Sequence, residues 1–102
     1  PGNMSNLMKQ AQRMQRQMEE GQKELETKEF VAKTGGGAVE AAVNGKKEVL
    51  RITLSEEIVD PEDIETLQDA IVGAVNEAMR QADAAGAELM GKMTGGLGGM
   101  PF

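Results

Sequence analysis

A chain of 102 residues with net charge −6 and no Cys, His, Trp or Tyr has room for one small domain and lacks most catalytic side chains. No imidazole, thiol or phenol is present for acid–base or nucleophilic work near neutral pH, and no thiolate metal site or disulfide framework can form. No apolar run approaches the roughly 18–20 residues that cross a bilayer. Neither a signal-peptide core nor a site for a cofactor or small-molecule substrate is visible, and the absence of Cys fits a reducing cytoplasm.

The first expected element is a helix from Asn3 or Ser5, either of which can cap it, to about Glu26. Met4, Leu7, Ala11, Met14, Met18, Gly21 and Leu25 recur in alternating steps of three and four, the rhythm of a helix packed lengthwise on another helix. The opposite face carries Lys9, Arg13 and Arg16, with no acid before Glu19. Gly21 in the seam marks a bend or a close crossing, since Gly costs about 1 kcal/mol relative to Ala inside a helix. With only two aromatic residues and eight Met, a lone monomer would have a poorly specified core. The seam residues Met4, Leu7, Ala11, Met14 and Met18 are therefore expected at the interface of a homodimer.

Three strands follow. Glu29–Thr34 is rich in β-branched and aromatic residues, and Gly35-Gly36-Gly37 ends it. In Ala38–Val43, Val39, Ala41 and Val43 share one face. Asn44-Gly45 predicts a type I′ hairpin turn with positive φ at both residues. In Glu48–Leu54, Leu50, Ile52 and Leu54 are expected inward and Val49, Arg51 and Thr53 outward. A second helix is expected to start with Asp60 as cap and Pro61 at its first position, followed by the acids Glu62, Asp63 and Glu65. Ile71, Val72 and Val75 should cover the sheet. The fold class is therefore α+β, an α-β-β-β-α order with a three-stranded antiparallel meander. It occupies residues 1–93 as one domain, and a Gly-rich tail, expected to be flexible, fills 94–102.

Several clusters read as structural. Thr34-Gly35-Gly36-Gly37 lacks the Lys-Ser/Thr of a phosphate loop and leads into a strand. The carboxylates at 60–65 suit a helix start better than a metal. The cationic stripe is different. Residues 55–90 hold ten acids against one base, yet residues 4–18 hold three bases and no acid. A solvated face is the ordinary reading of such a stripe. Its segregation from acids, its place opposite the seam and its doubling in a dimer favour phosphate contact through Lys9, Arg13 and Arg16. Arg80 and Lys92 of the second helix are further candidates.

Asn6-Leu7-Met8-Lys9-Gln10-Ala11-Gln12, Met14 and Met18 in register, Gly35–Gly37 leading into Val39, Asn44-Gly45, Arg51-Ile52, Asn76 in the second helix and the closing Met100-Pro101-Phe102 together resemble the YbaB/EbfC family of bacterial nucleoid-associated DNA-binding proteins. The resemblance covers essentially the whole chain. It implies an intertwined homodimer whose protruding helices grip double-stranded DNA like tweezers, with weak sequence preference, no catalysis and a place in the cytoplasmic nucleoid. Lys9 lies inside the matching motif; Arg13 and Arg16 rest on the charge pattern. The alternative is a protein-interaction module using the Met-rich first helix and the acidic second one.

Overall fold

The computed structural model of the chain describes residues 3–95, with side-chain environments over 3–93. The chain runs α1 (Asn3–Thr27), β1 (Glu29–Thr34), a 3-10 turn (Gly35–Gly37), β2 (Val39–Asn44), β3 (Val49–Leu54), a second 3-10 turn (Glu56–Ile58) and α2 (Ile64–Gly95). The strands form one antiparallel sheet in the order β1-β2-β3, which is the expected α-β-β-β-α meander. Of the expected tail, residues 94 and 95 continue α2 and 96–102 lie outside the described residues.

The core is made of small side chains. Alternation on β1 buries Phe30 and Ala32, and Val39, Ala41 and Val43 of β2 join them. From above, α2 lays Ala74, Ala78 and Ala82 on this surface, a stripe at i, i+4 and i+8 that lets the helix backbone approach closely. Ile71 and Val75 pack at the margin as expected, but Val72 does not cover the sheet and is 58% exposed. At 100° per residue it points about 120° away from Ala78, the middle of the stripe. The Thr34 hydroxyl on β1 donates to the Ala70 carbonyl and so ties one flank of α2 to that strand.

Three local expectations are corrected. The hairpin after β2 is not type I′: Lys47 N–H donates to the Asn44 carbonyl, and Lys47, with φ 64°, takes the left-handed position. Gly45 is absent from the positive-φ residues; a β-carbon there would run into the Leu25 carbonyl of α1. Asn44 is buried, and its side-chain oxygen accepts from the backbone N–H groups of Lys46 and Glu48. The glycine is thus required by a helix passing overhead, which a hairpin motif cannot reveal.

In β3, Leu54 lies opposite Val39 and Ile52 opposite Ala41, as alternation requires, but a bulge at Ala42/Val43 then sets Val49 opposite Val43. Val49 takes the inner-face place expected of Leu50. Finally, α2 starts at Ile64, three residues after Pro61. Asp60 instead caps a turn through the Glu62 N–H, and Asp63 is the helix cap, accepting from the Thr66 N–H at 3.3 Å and the Thr66 hydroxyl at 2.7 Å.

Two glycine substitutions separate close approach from backbone strain. Gly45→Ala forces α1 off the hairpin and is expected to lower unfolding free energy by about 2–3 kcal/mol in urea titrations, the range for overpacking. Gly36→Ala, with φ 68° and open space around it, is expected to lose only about 1 kcal/mol. Equal losses would remove the close-approach account of Gly45.

Candidate nucleic-acid interface

Helix α1 leaves the body of the protein as an arm. Its 25 residues include none that is buried, and its contacts with the chain concentrate near its C-terminal end. Gly21 lies against Leu89, where a β-carbon would sit 2.6 Å from Leu89 Cδ1, and Leu25 reaches Gly86 and Gly45. Gly21 therefore marks a close crossing of two antiparallel helices. Toward the tip, Met4, Leu7 and Met8 are 74%, 59% and 62% exposed, Ala11 is exposed, and Met14 and Met18 are half-buried. The molecule measures 76 × 29 × 15 Å, and an arm of about 37 Å accounts for much of that elongation.

Lys9, Arg13 and Arg16 are exposed on this arm. The ion pairs among the described residues are Lys33–Glu40, Lys47–Asp83, Arg51–Glu29 and Arg80–Glu77, and none involves the stripe. Among the described residues no acid pairs with Lys9, Arg13 or Arg16. Lys23, seven residues after Arg16 and on the same helical face, is likewise exposed and outside every ion pair. In the sequence the acids that begin at Glu19 mask Lys23 as part of the stripe. The spacing of seven was the signal that could have added Lys23.

The second-helix candidates part company. With Gly21 opposite Leu89 and the helices antiparallel, Lys92 is level with Met18. It lines the open groove between α1 and α2 with Lys28, Glu24 and Glu88. Arg80 lies nine residues from Leu89 toward the sheet, and Arg13 eight residues from Gly21 toward the tip. At 1.5 Å per residue they stand about 25 Å apart along the arm. Arg80 is also held by Glu77 Oε2 at 2.9 and 2.7 Å. The structure does not gather Arg80 into the stripe.

On the outer face of the sheet, Arg51 makes a two-pronged pair with Glu29 at 3.0 and 2.7 Å. The hydrogen bonds from Arg51 hold the Glu29 carboxyl below its ordinary range, and Glu29 raises Arg51 in return. Arg51 is thus already neutralised. The Gly35–Gly37 turn has positive φ at all three residues and leads into a strand, so it presents no helix N-terminus to a phosphate. Among the described residues no group of three His, Cys, Asp or Glu could hold a metal ion, and no helix is long and apolar enough to cross a membrane.

A lowered Glu29 pKa places the stabilisation of this pair above the carboxyl's unfolded value, and it is lost as pH falls through the folded one. Glu29→Gln should therefore destabilise the protein near pH 7, and the difference from wild type in urea midpoint should shrink as pH falls below the ordinary carboxylate range. A difference that persists undiminished in acid would exclude the ion pair as its source.

Residues 1–97 match the model of the YbaB/EbfC DNA-binding family. A nucleoid-associated protein of Agathobacter rectalis is 65% identical over 102 residues, covering 100% of this chain and 90% of the relative. Another, from Ruminiclostridium cellulolyticum, is 55% identical over 100 residues, covering 98% and 87%. The crystal structure of an uncharacterized protein from Helicobacter pylori superposes with a TM-score of 0.75 at 22% identity, over 91% of this chain and 98% of that one, a likeness of fold.

Proposed function

The chain belongs to the YbaB/EbfC DNA-binding family, and from that membership we propose that it acts as a nucleoid-associated homodimer holding duplex DNA between its two α1 arms. The observation that carries this reading is the stripe of Lys9, Arg13 and Arg16, exposed on the arm and outside every ion pair among the described residues. The three side chains span about 10 Å of helix, over which B-DNA carries several phosphates. They contact phosphates, so sequence preference is weak. Lys92, near the arm's base, adds a peripheral contact, and Arg80 adds least. No catalytic step belongs to this reading, and its setting is the cytoplasmic nucleoid.

The net charge of −6 does not oppose the proposal, because the largest group of acids is far from the stripe; on the arm itself Glu19 and Glu20 come only after Arg16. The acids at Glu56, Glu57, Asp60, Glu62, Asp63 and Glu65 cluster at the start of α2. That start lies about 37 Å along the helix from the Gly21–Leu89 crossing, on the side away from the stripe. The screening length is about 8 Å at physiological ionic strength, so the acidic end is not felt by DNA on the arm.

A second reading has its own observation. Met4, Leu7 and Met8 are exposed on the same arm, and Met-rich surfaces accommodate varied protein partners. Salt separates the two. Anisotropy of a labelled random-sequence duplex titrated with the protein should show a log–log salt slope of roughly −5 for six phosphate contacts per dimer. The triple charge reversal K9E/R13E/R16E should abolish binding while leaving the circular dichroism spectrum unchanged, and R80E should weaken it less than K92E. Binding that survives the triple reversal would remove these residues from the interface, and a folded dimer silent toward DNA at 50 mM salt would favour a protein partner.

A further inference from the structure

A second row runs along α1 beside its apolar seam. Asn3, Asn6, Gln10, Arg13 and Gln17 recur in the same steps of three and four, each one residue before Met4, Leu7, Ala11, Met14 and Met18. At 100° per residue the row lies between the seam and the cationic stripe, and it shares Arg13 with the stripe. Every member is exposed. Among the described residues Asn6, Gln10 and Gln17 make no side-chain hydrogen bond, whereas Gln15, on the other flank of the stripe, donates to Glu19 Oε1 at 3.5 Å. The next two positions in the rhythm, Glu20 and Glu24, are acidic and flank Gly21 at the crossing with α2. The amides are thus confined to the part of the arm beyond that crossing.

We propose that Asn6, Gln10 and Gln17 contact base edges in the major groove and give the arm a preference for adenine. The inference rests on the DNA-holding reading above and adds what the stripe lacks, a means of telling one base pair from another. A carboxamide is the side chain that matches adenine, its carbonyl accepting from the N6 amino group while its NH2 donates to N7. The three amides span about 16 Å of one helix face, and the major groove, about 12 Å wide, admits an α-helix. With the row toward the floor of the groove, Lys9 and Arg16 stand to one side, toward the phosphates of one strand. Those phosphate contacts fix the register of the arm and carry no sequence information, so any preference falls to the row. No acid interrupts the row between Asn3 and Gln17, whereas Gln12 and Gln15 share their flank with Glu19, whose carboxylate repels phosphate. The resulting preference is modest, well short of the roughly thousandfold or more of a site-specific protein.

Anisotropy titrations of the full chain at low salt test this with two labelled duplexes of one mixed sequence, the second carrying 7-deazaadenine at every adenine. The analogue removes the N7 acceptor from the major groove and leaves base pairing, the phosphates and the minor-groove edge in place. Wild type should bind the 7-deaza duplex about tenfold more weakly. N6A/Q10A/Q17A, in which alanine preserves the helix and circular dichroism confirms it, should bind both duplexes equally. It should also keep the wild-type salt slope, because Lys9, Arg13 and Arg16 are untouched. Gln12→Ala, on the other flank, should discriminate as wild type does. Equal binding of both duplexes by wild type, discrimination that persists in N6A/Q10A/Q17A, or its loss in Gln12→Ala would each overturn the base contacts and leave the phosphate reading standing. A folded wild type silent toward both duplexes would refute the DNA reading and this inference with it.

Discussion

The contact on which the rest depends is the seating of Ala74, Ala78 and Ala82 on Val39, Ala41 and Val43. A stripe of methyl groups brings the helix axis low over β1 and β2, and with strands about 4.8 Å apart a helix about 10 Å across covers two of them. Two consequences follow from that seating. β3 is left open on its inner face, and the far half of α2 overshoots the sheet. The overshoot meets α1 at the Gly21–Leu89 crossing and supports the base of the arm.

The close approaches all use glycine or alanine where a larger residue would push elements apart. Gly45 passes under the Leu25 carbonyl, and Gly21 admits the Leu89 side chain. Between them they set where α1 lies against the body. The cationic stripe depends on these contacts indirectly. Lys9 and Arg13 have no acid within a helical turn and Arg16 forms no ion pair with Glu19 or Glu20, because the arm extends past the reach of the acidic first half of α2, whereas Arg51, Arg80 and Lys47 are paired. The fold thus separates paired cations from the unpaired stripe on which the proposed DNA contact rests.

Much of this was legible in the residues, because helical period, strand alternation and charge segregation are properties of near neighbours. The seam of Met4 to Leu25, the strands around Phe30, Val39 and Ile52, and the stripe at Lys9, Arg13 and Arg16 all follow from spacing along the chain. The start of α2 was misplaced because Asp60 and Asp63 are equally good caps in isolation; the Asp60 turn and the Asp63–Thr66 bonds distinguish them only once formed.

The sequence by itself thus determined the number, order and type of the elements and which side of α1 is cationic, since each depends on residues within a turn or two of one another. Tertiary structure alone decided what depends on distant segments meeting. It put Gly45 under α1, turned Val72 away from the sheet, shifted Val49 into Leu50's place through a bulge, and set Arg80 about 25 Å from the stripe it had been grouped with. The physical reason is the same in each case. A side chain's local period says which way it points from its own element, and only packing says what stands in that direction.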